Sequence, residues 1–225
     1  MALEYWREYR TYFHIAQSWG VNESTAYRII RKIEDILVAS KAFSLPGKKK
    51  LSSYDYQVEV VVVDVTESPI ERPKKNIHLF YSGKKKRHTL KSQVIVSQNT
   101  GEILCTAHGK GKEHDFRIFK NSKVRFREDI ECLGDKGYQG IHKVHAKSRI
   151  PKKKPRRGNL TREDKKSNQE LAKIRVVVEH INRKLKVFKI LSDRYRNRRK
   201  RFGLRFNLIA GLYNYELRLL KTESV

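Results

Sequence analysis

Three acidic residues carry the chemistry this sequence could do: Asp64, Asp135 and Glu179. Residues 58–67 read Val-Glu-Val-Val-Val-Val-Asp-Val-Thr-Glu. Consecutive valines favour a strand over a helix, because β-branched side chains lose rotamer freedom against a preceding helical turn. So apolar a run fits a strand covered on both faces, at the centre of a sheet. A bare carboxylate at the C-terminal end of such a strand is costly unless a cation or a hydrogen bond compensates it. Asp64 therefore either caps the strand or holds a metal. Asp135 stands in Gly-Asp-Lys-Gly-Tyr-Gln-Gly (134–140), directly after a predicted strand at 129–133. The glycines let the chain turn sharply there, so Asp135 also occupies a strand tip. Glu179 falls on a long helix four residues after Arg175, and an i, i+4 ion pair at the helix rim is its plain reading.

The elements that must position these acids are legible from periodicity. Leu171, Ile174, Val178, Ile181, Leu185 and Phe188 recur at +3 and +4, one apolar stripe of a helix. Arg175, Glu179, Asn182 and Lys186 form a second stripe, roughly 100° around from the first, at the edge of the buried face. Between the acids, residues 89–97 and 102–107 read as two more strands joined by a hairpin turn at Asn99-Thr100-Gly101. With the valine strand they make an antiparallel meander. His114 and Asp115 open a short helix, and 148–151 reads as a last short strand. After a segment at 194–201 with six basic residues, 202–220 reads as an amphipathic helix.

Composition narrows the partner. The chain has 225 residues, 51 Lys and Arg against 24 Asp and Glu, and a net charge of +27. That excess is too large for a typical metabolic enzyme and implies a polyanion, most simply nucleic acid. No stretch approaches a membrane span and no secretory signal opens the chain. Cys105 and Cys132 lack metal-ligand spacing and read as buried thiols in a reducing compartment. The hydrophobic content of 38% suffices for one good core and a small satellite domain.

That satellite is expected at the N-terminus, where residues 3–38 read as helical and 14–30 fit a helix-turn-helix. Ile15, Ala16 and Trp19 would face the core, Gly20 would make the turn, Val21 would be buried in it, and Asn22 would cap the second helix. Ala26, Ile29, Ile33, Ile36 and Leu37 would then be the buried side of that helix. This leaves Asn22, Glu23, Ser24, Thr25, Tyr27 and Arg28 outward for the major groove. Two further basic runs, Lys84-Lys85-Lys86-Arg87 and Lys152-Lys153-Lys154 with Arg156 and Arg157, would neutralise phosphates without sequence preference.

Taken as an ordered set, these motifs resemble one family. A meander followed by helix, strand and helix is similar to the ribonuclease-H-like fold. The set Asp64-Val65-Thr66-Glu67-Ser68 with Arg72-Pro73-Lys74, Tyr81 to Thr89, His114-Asp115, Asp135-Lys136-Gly137-Tyr138 and Arg175-x₃-Glu179-x₂-Asn182-x₃-Lys186 resembles a DDE transposase of the bacterial insertion-sequence-five group, related to Harbinger elements. The tyrosine that often precedes that arginine by three residues is Ala172 here. The resemblance implies Asp64, Asp135 and Glu179 as catalytic and metal-holding residues, with Asp115 as competitor for the second place. It also implies DNA contacts from Arg175 and Lys186. Mg²⁺ or Mn²⁺ suits such an all-oxygen set, and two ions about 3.5–4 Å apart would stabilise the entering and leaving oxygens of a phosphoryl displacement.

The expected architecture is thus α+β or α/β. A helix-turn-helix domain at 1–43 and a basic linker at 44–57 precede a ribonuclease-H-like mixed sheet with flanking helices at 58–222, with a mobile basic arm at about 152–166. The expected function is metal-dependent cleavage at transposon ends and strand transfer into target DNA. The alternatives are an inactive transposase-derived DNA-binding protein and a ribonuclease-H-like nuclease without strand transfer. Relatives of that group usually carry more residues upstream, so a truncated or split product is expected. The expected partner is double-stranded DNA, held by a homodimer in a synaptic complex, in the cytoplasm at the nucleoid.

Overall fold

The computed structural model describes residues 1–155 and 157–222. In chain order its helices are α1 (Ala2–Glu8), α2 (Tyr12–Ser18), α3 (Glu23–Ala39), α4 (Ile77–Phe80), α5 (Asp115–Ser122), α6 (Arg162–Lys186), α7 (Lys189–Ser192) and α8 (Phe202–Thr222). Its strands are β1 (Val60–Pro69), β2 (Tyr81–Ser82), β3 (Arg87–Ser97), β4 (Ile103–Lys110), β5 (Glu131–Leu133) and β6 (Ser148–Arg149). They form a mixed sheet in the order β2-β3-β1-β5-β6, with β4 also paired to β3. The chain divides into two compact units: Pro46–Thr66 with Lys91–Asn182, and Met1–Leu45 with Glu67–Leu90 and Arg183–Val225.

The first of these units is the acid-bearing one. The valine run forms β1 because its side chains can be buried on both faces: Val61, Val62 and Val63 are fully buried. β3 and β4 complete the antiparallel part, and the turn closes with Gly101 at φ +71°. β5 then pairs parallel with β1 and β6 parallel with β5, the mixed α+β arrangement expected. The core beneath holds Val61, Val63, Ile95, Leu104, Phe119, Cys132 and Tyr138. Both cysteines are free thiols and buried. The stretch 46–57, read as linker, packs into this unit: Leu51 is fully buried and Gly47 N donates to Leu104 O at 2.8 Å. Lys152 of the basic arm is held at both ends, its backbone N donating to Asn168 Oδ1 at 2.8 Å and its Nζ pairing with Asp164 at 2.5 Å.

The other unit contains the helix-turn-helix, α2 and α3 around Gly20 at φ +62°. Its buried face differs from the expected one. α3 buries Ala26, Ile30 and Glu34, whereas Ile29, Ile33 and Ile36 are exposed. Trp19, expected in the core, is 54% exposed and donates its indole N–H to Glu4 at 2.7 Å. The reason is polar: Glu34, 0% exposed, accepts from Trp6 at 3.2 Å, Arg201 at 2.7 Å and Arg205 at 2.6 Å. A buried acid with three donors fixes the helix rotation against the purely apolar preference. Asn22 occupies the N-cap of α3 but makes no side-chain cap bond. On α8 a Cβ at Gly211 would lie 1.8 Å from Phe43 O, so only glycine lets the chain pass there. No described helix is long and apolar enough to cross a membrane.

Candidate active site

Asp64 lies inside β1 rather than at its end, since the strand continues to Pro69. What ends near Asp64 is the parallel ladder: Val62 pairs with Leu133, its last rung. Two residues beyond that rung stand Asp64, still within β1, and Asp135, just past the end of β5. Equal steps on neighbouring parallel strands bring the two acids to the same level of the sheet. Asp135 then caps a 3₁₀ turn at Lys136–Tyr138, its Oδ1 accepting from Gly137 N at 2.8 Å.

Asp115 joins them from the first residue of α5. It accepts from Lys91 Nζ at 2.8 Å, and Lys91 also donates to Glu113 O at 2.7 Å. A Cβ on Gly137 would lie 2.7 Å from Asp115 Oδ2 and 2.9 Å from Asp135 Oδ1. Both oxygens thus crowd one point, and no side chain fits between them. Gly137→Ala is expected to push the two carboxylates apart and lower the rate of any metal-dependent reaction that needs both by about tenfold or more, since small misplacements at a reacting centre cost up to about 100-fold. A reaction rate equal to the parent's would show that this spacing is irrelevant.

The third acid comes from α6. Leu171, Val178, Ile181 and Leu185 are buried and Ile174 is half-buried. The second stripe meets Asp64: Asn182 Nδ2 donates to Asp64 Oδ2 at 2.9 Å, and Arg175 Nη2 lies 3.5 Å from Oδ1. Arg175 therefore partners Asp64 rather than forming the helix-rim pair with Glu179. Glu179 is exposed, on the same helical stripe, four residues after Arg175 and three before Asn182. Lys186, also on that stripe, is half-buried.

Burial raises the pKa of Asp64 from 3.8 to about 6; Arg175 opposes this, while the charges of Asp135 and Asp115 add to it. Tyr138, beneath the acids, has its hydroxyl pushed well above 10 by burial and by the same three carboxylates. These groups suit a hard divalent cation. The donors are oxygens, their charges repel one another, and Asn182 Oδ1 is buried without a hydrogen-bond partner. As they stand, no three of the described Asp, Glu, His and Cys residues form a ready-made ion cage. His114 is exposed at the N-cap of α5.

The sequence-predicted DNA contacts lie in several places. Asn22, Ser24, Tyr27 and Arg28 are exposed on α3 and Thr25 is half-buried. Tyr27 OH accepts from Arg31 Nη1 at 2.9 Å, and Arg31 and Lys32 line one groove with Tyr27 and Arg28. Sequence reasoning passed over these two cations, although i+4 spacing from Tyr27 and Arg28 marks them. Lys84, Lys85 and Lys86 lie in the exposed turn between β2 and β3, and Arg87, also exposed, opens β3. Lys153, Lys154 and Arg157 are exposed, and Arg156 lies outside the described residues.

Comparison with known proteins places this geometry. Residues 63–214 match the family described as DDE superfamily endonuclease, and residues 1–41 match the helix-turn-helix of DDE superfamily endonuclease. The chain is 57% identical over 219 residues to the probable transposase for insertion sequence element IS702 of Microchaete diplosiphon, covering 97% of this chain and 79% of that protein. No solved structure matches. Enzymes of this superfamily use divalent metal ions. With its N-terminal helix-turn-helix and its acid-bearing mixed sheet, the chain belongs to the DDE superfamily of endonucleases.

Proposed function

We propose that this chain, a transposase of the DDE endonuclease superfamily, cuts DNA at transposon ends and joins the freed 3′-hydroxyl to target DNA, with Asp64, Asp135 and Glu179 as its catalytic carboxylates. One observation carries the assignment: Asp64 and Asp135 stand two residues past the last rung of one parallel ladder, and α6 reaches Asp64 through the residues on either side of Glu179. The finer reading assigns the chain to the insertion-sequence-five group, with two Mg²⁺ or Mn²⁺ ions, a homodimer pairing two DNA ends, and a place in the cytoplasm at the nucleoid. The domain reading keeps DNA recognition on α3 and chemistry on the sheet.

Each side chain then has a task. Asn182 and Arg175 hold both oxygens of Asp64, so that carboxylate is oriented before substrate arrives. The Gly137 N–H does the same for Asp135, and Lys91 holds Asp115. Arg175, bound to Asp64 at one edge, also offers its guanidinium to a phosphate oxygen. Divalent ions held by Asp64, Asp135 and Glu179 would supply charge neutralisation at the phosphate under attack.

Glu179→Gln tests the reading, because it keeps size and hydrogen bonding and removes the charge a hard cation needs. Nicking of DNA in Mg²⁺ is expected to fall by about 100-fold or more, while gel-shift affinity for the same duplex stays within about twofold. A variant that nicks as fast as the parent would withdraw Glu179 from the catalytic set. A gel for joined products completes the test, since hydrolysis without joining would leave only a nuclease.

A further inference from the structure

Outside the three acids, the acid-bearing unit carries a second feature that its residues do not satisfy among themselves. An open cleft of about 750 Å³ is lined by His114, Phe116, Arg117, Lys120, Asn121, Lys136, Gly137, Gln139 and Lys153. Four of those side chains are cations and none is an acid. Arg117, Lys120, Lys136 and Lys153 are all exposed, and none forms an ion pair with a described carboxylate; Lys120 reaches only the ring of Phe116, at 5.0 Å. Other cations of this unit do meet acids: Lys91 pairs with Asp115, Arg127 with Asp129 and Arg149 with Glu131. Like charges converging on one concave surface repel, and among the described residues no acid lines the cleft.

The position of the cleft identifies what would offset it. Its wall includes Gly137, the residue wedged between the carboxylates of Asp115 and Asp135, and Lys136 follows Asp135 directly. A strand whose phosphate sits at the acids passes the cleft within the next nucleotides. We propose that this cleft binds the phosphodiester backbone of the cut DNA strand next to the scissile phosphate, through Arg117, Lys120 and Lys136. The cleft shares no residue with the α3 groove or with the turn at Lys84. The inference rests on the reading of this chain as a DNA-cutting enzyme for the nature of its polyanion. It predicts affinity without sequence preference, since phosphate contacts position a strand and do not read it.

The experiment measures binding with chemistry switched off. Fluorescence anisotropy of a labelled duplex of arbitrary sequence is followed against salt, in EDTA, for the full chain. Replacing Arg117, Lys120 and Lys136 together by Ala is expected to flatten the slope of log K against log salt by about 2–3, because each neutralised phosphate contributes about 0.9. Arg117→Lys, Lys120→Arg and Lys136→Arg together should restore the parent slope, which a misfolded variant could not do. Replacing Lys75, Lys143 and Lys173 by Ala, exposed cations that do not line the cleft, should flatten it by less than about 1. An unchanged slope in the cleft variant, or equal flattening in the control variant, overturns the proposal and makes these cations solvated surface. The outcome is independent of nicking: a parent that binds with the full slope yet never cuts in Mg²⁺ would sink the transposase reading and leave the cleft in place.

Discussion

Asp64→Asn is expected to lower nicking sharply and, at neutral pH, to make the protein more stable. The carboxylate is held at a folded pKa of about 6 against an ordinary 3.8, chiefly by burial, then by the charges of Asp135 and Asp115 acting against Arg175. The sign follows from linkage. A carboxyl whose folded pKa is raised binds its proton more tightly in the native state, so its contribution is most favourable below pH 3.8. That contribution is lost as pH rises through about 6. At pH 7 the ionised Asp64 costs about 3 kcal/mol at most, at 1.36 kcal/mol for each pKa unit. Asparagine removes the charge but weakens the partner of Arg175, so a net gain of about 1–3 kcal/mol is expected. Thermal melts should show the variant above the parent at pH 7 and level with it near pH 4. Nicking should drop by about 100- to 1000-fold or more. Added Mg²⁺ should raise the melting temperature of the parent and not of the variant. A variant that is less stable than the parent at pH 7 would mean that Arg175 and Asn182 fully compensate the charge.

Glu34→Ala is expected to be the most destabilising single change in the helix-turn-helix region. Glu34 and Arg205 are 0% and 2% exposed, and Arg201 is mostly covered. Removing the carboxylate leaves the Arg205 guanidinium buried beside Tyr195 at 2.9 Å with no counter-charge. Breaking a buried pair from one side costs about 3–5 kcal/mol. For a chain of this size that lowers the melting temperature by roughly 6–20 °C. Glu34→Gln keeps acceptor geometry and should lose less. A melt of Glu34→Ala within about 1 kcal/mol of the parent would show that water reaches Arg205 and replaces the acid.

Much of the scaffold was legible because it is written in local periodicity. Consecutive valines make a strand wherever they are covered, and Asn99-Thr100-Gly101 turns the chain irrespective of what surrounds it. The apolar stripe from Leu171 to Leu185 specifies a helix and its buried side, and an excess of 27 positive charges requires a polyanion. The acids themselves stood out as carboxylates beside strand ends and on a helix rim. Asp115 stood out only as a competitor for the second place, and the Lys91 that holds it and the cations of α5 did not stand out at all, for their spacing along the chain is unremarkable.

What tertiary structure decided is every feature that depends on partners distant in sequence. The last rung of the ladder, Val62 on Leu133, sets Asp64 level with Asp135, and a slip of one residue would point them to opposite faces. Arg175 has an acid within reach on its own helix, yet it turns to Asp64, and Asn182 closes on the same carboxylate from 118 residues away. The rotation of α3 was the least legible. An apolar count favours Ile29, Ile33 and Ile36, but burial goes to Ala26, Ile30 and Glu34, because Arg201 and Arg205 meet Glu34 from 167 and 171 residues away. A local pattern ranks the faces of an element by hydrophobicity alone. Leaving a buried charge without its partner costs more than that ranking can repay, and only the folded chain brings the two charges together.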